Sequence, residues 1–282
     1  MATLEALILA HEGAVRLGVF LAVLAAVMAL EWALPRRRLT QSRRRRWAAN
    51  FGIVIIDSLI LRLAFPILAV GLAVVAADRG WGLFNVVGLP VWFEVLASVI
   101  LLDALIYWQH RLFHTVPLLW RLHRMHHADL DFDVSTALRF HPIEIALSML
   151  IKMAAVLLLG PSAFAVVVFE VLLNGTAMFN HGNLRLPGRL DRALRKVIVT
   201  PDFHRVHHSV RPEETNSNYG FNLTWWDYLF GSYRAQPRDG QTGMTIGLAQ
   251  YRDAVSANLV WMLLLPFRND SGREVRRGRQ GG

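Results

Sequence analysis

The 282-residue chain contains no cysteine, which removes disulfides, thiolate metal ligands and cysteine nucleophiles together. Charge is also scarce: Asp, Glu, Lys and Arg make up 18% of the residues, against about 25% in a typical soluble domain. Acids are the rarer sign, 21 against 30 basic residues, for a formal net charge of +9. They are missing, too, where a zinc hydrolase needs one. Between the paired histidines stand Arg111, Leu112 and Phe113, then Arg124 and Met125, then Arg205 and Val206, so the glutamate of an HExxH site is absent. No internal repeat at a solenoid period is present.

Hydrophobic residues fill the gap, at 54% of the chain. About 20 apolar residues cross a bilayer as a helix, and several runs qualify. The first spans residues 15–34 and lacks a clear cleavable-signal pattern, so it reads as a retained anchor. Seven arginines follow within residues 36–46, a cytoplasmic marker beside a membrane span. Because the basic residues sit next to apolar runs, the expected anionic partner is lipid headgroups and not nucleic acid.

A second run covers residues 51–77. Asp57 and Arg62 interrupt it and mark the expected place for a tilt or break. A third, residues 91–108, carries Glu94 and Asp103 and leads directly to His110. A fourth, residues 143–178, has Gly160-Pro161 near its middle and reads as a helical hairpin. A hairpin returns the chain to the face it left, so the histidines on either side of it share one side of the membrane, and the arginine bias makes that side cytoplasmic. Residues 259–267 are apolar but too short to span. The expectation is an all-α transmembrane bundle of four to five membrane segments with a cytoplasmic, histidine-rich helical cap. Residues 1–270 form its single domain, and residues 271–282 a basic, disordered tail.

Ten of the 11 histidines fall in two stretches: His110, His114, His123, His126, His127 and His141, then His181, His204, His207 and His208. Only His11 stands apart. One histidine on an apolar face is usually a hydrogen-bonded core residue. Repeated spacings of three and four are different, because they put imidazoles on one helix face, close enough to share an ion. Imidazole suits iron, zinc, copper and nickel. Structural zinc favours four ligands, usually with cysteine. This many imidazoles points to a crowded centre with more than one ion.

The HxxxH of His110 and His114, and the HxxHH boxes at His123, His126, His127 and at His204, His207, His208, resemble those of the fatty acid hydroxylase/sterol desaturase superfamily. The flanking Arg139-Phe-His-Pro142, Asn180-His-Gly-Asn183, Asn218-Tyr-Gly220 and Trp226-Asp-Tyr-Leu-Phe-Gly231 match as well, over residues 101–233. The resemblance implies a membrane-bound non-haem di-iron enzyme. It would use dioxygen and delivered electrons to hydroxylate or desaturate a lipid such as a sterol or fatty acyl chain. It also implies that the eight box histidines and His181 are ligands; His141 joins them, with a supporting or helix-end role before Pro142 as its alternative. Asp129, Asp131, Asp133 and Asp227 are candidates to orient ligand imidazoles, or else cap and solvate loops. Glu144, one helical step after His141, is a further carboxylate placed near the metals.

The chain has no motif for a fused cytochrome b5, flavin or iron–sulfur domain, so electrons are expected from a separate cytochrome b5-like or ferredoxin/reductase partner. The basic loop around Arg43 and Arg124 or Arg205 is a candidate to dock it, with contact to lipid phosphates as the alternative. The compartment implied is the bacterial cytoplasmic membrane, or the endoplasmic reticulum in a eukaryote. Two other classes remain open. A metal transporter would spread its ligands through the membrane depth with acids lining a path, and a non-catalytic lipid-binding scaffold would keep the boxes without turnover.

Overall fold

A computed structural model of the chain describes residues 2–268; the expected basic tail lies outside the described residues. Among the described residues the regular structure is helical, with three isolated β-bridges and no strand. In order come α1 (Ala2–Ala10), α2 (Glu12–Ala33), α3 (Arg43–Ala64), α4 (Ala69–Arg79), α5 (Leu83–Val87), α6 (Val91–Thr115), α7 (Pro117–His127), α8 (Pro142–Leu159), α9 (Ala163–Asn180), α10 (Gly188–Leu194) and α11 (Pro201–His207). Among the described residues five stretches are long and apolar enough to cross a membrane: α2, the run Arg43–Val87, α6, α8 and α9. Their outward faces expose Leu17, Leu21, Leu63, Trp92 and Leu158. Such surfaces suit lipid, because a helix satisfies its own backbone there.

The second span breaks, but not at its charges. Asp57 and Arg62 both lie within continuous α3, and the helix ends where Phe65 turns extended (φ −120°, ψ 110°) ahead of Pro66. The proline has no N–H to donate and its ring crowds the preceding turn, which also drives the residue before it out of helical geometry. Asp57 is buried while Arg62 is exposed.

The hairpin turns where expected. Gly160 caps α8 in the left-handed conformation (φ 65°), and Ser162 caps α9 by accepting from the Ala165 N–H. A Cβ built on Gly82 would lie 2.3 Å from the Gly160 nitrogen, so the end of the α4 segment sits directly against this turn. Glu94, at the start of α6, accepts from the Ser162 N–H and hydroxyl, both at 2.9 Å. One end of the bundle therefore gathers the α4–α5 connection, the start of α6 and the α8–α9 turn.

The opposite end carries the histidines. α9 packs mainly on α2 and α6, and α4 lies against both α8 and α9. One set of charges inside this bundle is paired: Glu170 on α9 meets Lys152 of α8 and, at 2.9 Å, Arg16 of α2. Residues 259–267 fold back as a short helix and a turn of 3₁₀ helix, and bury Trp261, Met262 and Leu265 beside Met125 and Ile53. They pack on the core instead of spanning.

Candidate metal centre

Helical spacing does the first assembly step. His110 and His114 lie one turn apart at the end of α6, and His123, His126 and His127 follow on α7 after Pro117 starts that helix. His204 and His207 project from α11, which Thr200 caps by accepting from the Phe203 N–H, and His208 follows at its C-terminus. His181 is the C-terminal cap of α9.

Tertiary packing then sorts nine imidazoles into two groups. His110, His114, His123, His127 and His207 form one; His126, His181, His204 and His208 form the other. Within each group one ligand atom per residue lies within 4.8 Å of all the others. The groups touch: the rings of His127 and His208 stack with centroids 4.6 Å apart. Each HxxHH box divides its side chains between them, so neither centre belongs to one helix.

Hydrogen bonds fix which ring nitrogens face inward. A carbonyl oxygen only accepts, so the proton of His110 sits on Nδ1, which donates to the Tyr219 carbonyl at 2.8 Å. His207 Nδ1 donates to the Ser217 carbonyl at 2.7 Å, and His181 Nδ1 to that of Ala177 at 2.8 Å. His123 Nδ1 donates to Glu144 Oε1 at 2.7 Å. The Nε2 atoms of His110, His123 and His207 are therefore bare lone pairs. Yet His110 Nε2 lies 3.0 Å from that of His207 and 3.2 Å from that of His123.

Lone pairs at that distance repel unless a cation lies among them. Imidazole nitrogens bind a divalent ion at about 2.1 Å, which sets neighbouring ligands about 3.0–3.4 Å apart. The second group shows the same spacing, with His181 Nε2 at 3.1 Å from Nε2 of both His126 and His204. Ring nitrogens of His114, His127 and His208 are buried without any protein partner. Burial also drives the imidazoles toward their neutral, ligating form: desolvation brings His123 and His181 down to about 3. The donor set fits two metal ions.

His141 is the one expected ligand that the structure keeps out of both groups. Its Nδ1 accepts from the Ile143 N–H as the cap of α8, and its Nε2 faces the Leu263 carbonyl at 3.2 Å. The four candidate aspartates touch no ligand imidazole either. Asp129 and Asp133 bind Arg46. Asp131 accepts from the backbone N–H groups of Thr40 and Gln41. Asp227 accepts from the N–H groups of Tyr219 and Gly220 at 2.8 and 2.7 Å. It works one step removed, holding the strand of backbone whose Tyr219 carbonyl orients His110. Asp103 anchors the same region, accepting from Asn222, Leu223 and the Trp226 indole.

Only Glu144, of the carboxylates considered, reaches a ligand. Because it fixes the tautomer of His123, Glu144→Ala should weaken metal retention about 10- to 100-fold while the bundle stays folded. Titrating metal out with a chelator measures this; retention equal to wild type refutes the role. Sequence reasoning did not find the backbone carbonyls of Ala177, Ser217 and Tyr219, which leave no residue-type signal. It also overlooked Asn216, whose Oδ1 lies 3.3 Å from His114 Nδ1.

A cavity of about 270 Å³ adjoins the five-histidine group. His110 and His123 form part of its wall, and Ile106, Phe113, Leu138, Phe140, Leu173 and Phe221 make most of the rest apolar. It lies among α3, α6, α8 and α9, in the half of the bundle nearest the histidines.

Residues 95–232 match the family model described as fatty acid hydroxylase. The chain is similar to alkylglycerol monooxygenase of Homo sapiens, 29% identical over 58% of this chain and 36% of that protein. It is likewise similar to an ornithine lipid hydroxylase of Rhizobium tropici, 29% identical over 66% of this chain and 54% of the relative. A very-long-chain aldehyde decarbonylase of Oryza sativa is 30% identical over 54% of this chain and 57% of its own length. The chain thus spans between about a third and a little over half of these relatives. No solved structure matches it.

Proposed function

Through residues 95–232 this chain belongs to the fatty acid hydroxylase family, and we propose that it is a membrane-bound non-haem di-iron oxygenase that uses dioxygen and external electrons to hydroxylate a lipid C–H bond. The observation that carries this reading is the convergence of bare Nε2 atoms on His110, His123 and His207 at the wall of an apolar cavity among membrane helices. His110, His114, His123, His127 and His207 would hold one iron; His126, His181, His204 and His208 would hold the other. Bound iron would supply the one-electron and oxygen chemistry that side chains lack.

The chain's own residues do the positioning. Tyr219, Ser217, Ala177 and Glu144 lock ring orientations, so each Nε2 points inward before any metal arrives. The cavity receives an apolar chain from the bilayer side, and its Phe and Leu lining excludes water from the reacting carbon. Collection of all nine imidazoles at one end of the bundle argues against a transporter, which would stagger its ligands along the membrane depth. The arginine-rich stretch beside the same end supports a cytoplasmic face for the site, in reach of a soluble or cytochrome b5-like electron donor. Docking of that donor cannot use Arg205 or Arg124 as expected from sequence. Arg205 is fully buried against Asp202 and the Gly182 carbonyl, and Arg124 is buried against the Leu265 and Arg268 carbonyls.

The test is metal content per chain in detergent-purified protein produced with iron, followed by lipid oxidation with dioxygen and a reductant. About two irons and an oxygen-dependent hydroxylated product are expected. Retained metal without oxygen-dependent turnover overturns the oxygenase reading in favour of a lipid-binding scaffold.

A further inference from the structure

We propose that the cavity beside the five-histidine group selects a lipid carrying a hydroxyl group near the carbon presented to the metals, with Asp57 and Gln109 as the residues that recognise it. This names a substrate class for the oxygenase reading and rests on it. The cavity is apolar over most of its wall, but its polar atoms are unbalanced. Asp57 Oδ1, Gln109 Oε1 and Glu144 Oε2 are all buried without a hydrogen-bond partner, and all three residues line this one space.

Most donors that might serve them are committed elsewhere, leaving in the wall the hydroxyls of Ser58 and Ser148. Gln109 spends its own Nε2 on the Ser148 hydroxyl at 2.8 Å. Asn174, also in the wall, donates its Nδ2 to the Glu170 carbonyl at 2.8 Å. Arg62, the cation nearest to Asp57 along α3, is exposed, and Lys152 is taken by Glu170. Asp57 is left as a carboxyl 7% exposed at membrane depth with no cation among the described residues paired to it. Such a group is costly and marks a functional site by default.

The imbalance has a direction. Three unpartnered oxygens face two free wall hydroxyls, and a plain hydrocarbon chain would leave them desolvated, whereas a hydroxyl, which both donates and accepts, pairs with them whether or not a carboxyl carries its proton. A hydroxyl satisfies at least one of them and accepts in turn from the Ser148 O–H. Position matters as well. Glu144 holds His123 through its other oxygen, so a hydroxyl bound by this set sits close to the metal ligands. Oxidation would then fall near the polar end of the lipid and not deep along its chain. A site built to bond a hydroxyl rejects the analogue without it far more strongly than an apolar pocket rejects an added methylene.

Binding decides this without relying on turnover. Displacement of a fluorescent long-chain alcohol from the purified protein would be compared for a 1-alkanol and its methyl ether, which has the same chain and no donor. The expected result is at least tenfold tighter binding of the alkanol to wild type. Asp57→Leu and Gln109→Leu, prepared separately, should each reduce that preference at unchanged metal content, and the double variant should abolish it. Equal affinities in wild type overturn the proposal, as does a preference that survives in the double variant. Should one variant fold poorly, the wild-type comparison and the other variant still decide. An intact alkanol preference with no oxygen-dependent product would refute the oxygenase and leave this recognition site standing.

Discussion

His207→Ala should lose the metal of the five-histidine group and bring lipid oxidation down by at least about 10³-fold, with membrane insertion unchanged. His207 is the member that α11 contributes to a group otherwise built by α6 and α7. Its Nε2 meets His110 at 3.0 Å, and its ring lies 4.6 Å from those of both His114 and His127. Alanine removes one lone pair and opens a space that water can fill, so the remaining four imidazoles hold an ion more weakly. The four-histidine group keeps all its members, and iron per chain should fall toward half. Elemental analysis beside an activity assay reads both effects. Normal iron content in the variant would rule out the assignment. His141→Ala is the internal control: its ring caps α8 and meets the Leu263 carbonyl, so it should keep full metal.

Arg46→Leu should be the most destabilising single change, about 3–5 kcal/mol, because it strands two buried carboxylates. The guanidinium, 1% exposed, reaches both oxygens of Asp129 at 2.8 Å and Asp133 at 2.6 Å. Burial alone would raise the Asp129 pKa, but Arg46 outweighs it and brings that carboxyl down to about 2. The consequence is more than stability. Asp129 follows His127 almost directly, and the loop it anchors leads into the capped turn Val134–Leu138 and on to α8. Loosening it frees the end of α7 and with it His126 and His127. A large fall in the unfolding midpoint in detergent, together with partial metal loss, is the expected pair of results. A variant as stable as wild type would show that the arginine contributes no net attraction. Arg46→Lys should recover only part, since an ammonium cannot reproduce the two-pronged contact.

Much of the site was legible in the chain itself. Metal ligation by histidine requires particular residue types at helical spacing, and those are written in the order of residues. Eight of the nine imidazoles that gather stand at helical spacing in the boxes, His181 entered through the family resemblance together with His141, which does not gather, and the spans followed from hydrophobic length. Gly160 was readable as the hairpin turn because only glycine adopts its positive φ at no cost. The break at Pro66 was equally available. The charges at Asp57 and Arg62 drew attention away from the ring that forbids a continuing helix.

What the sequence alone determined, then, was the candidate histidines that gather and the membrane segments, because each depends on local spacing and flanking text or on hydrophobicity summed along one segment. Tertiary structure decided how the ligands divide. Sorting nine histidines into groups of five and four depends on how α7 and α11 face each other across α6 and α9, and no spacing within one box encodes it. It decided, too, which carboxylate matters. Five acids looked equivalent as text, but only Glu144 is carried by its helix to an imidazole nitrogen, while the aspartates are consumed by Arg46 and by backbone N–H groups. The orienting partners of His110, His181 and His207 are main-chain carbonyls, identical at every residue and so invisible until the chain is folded.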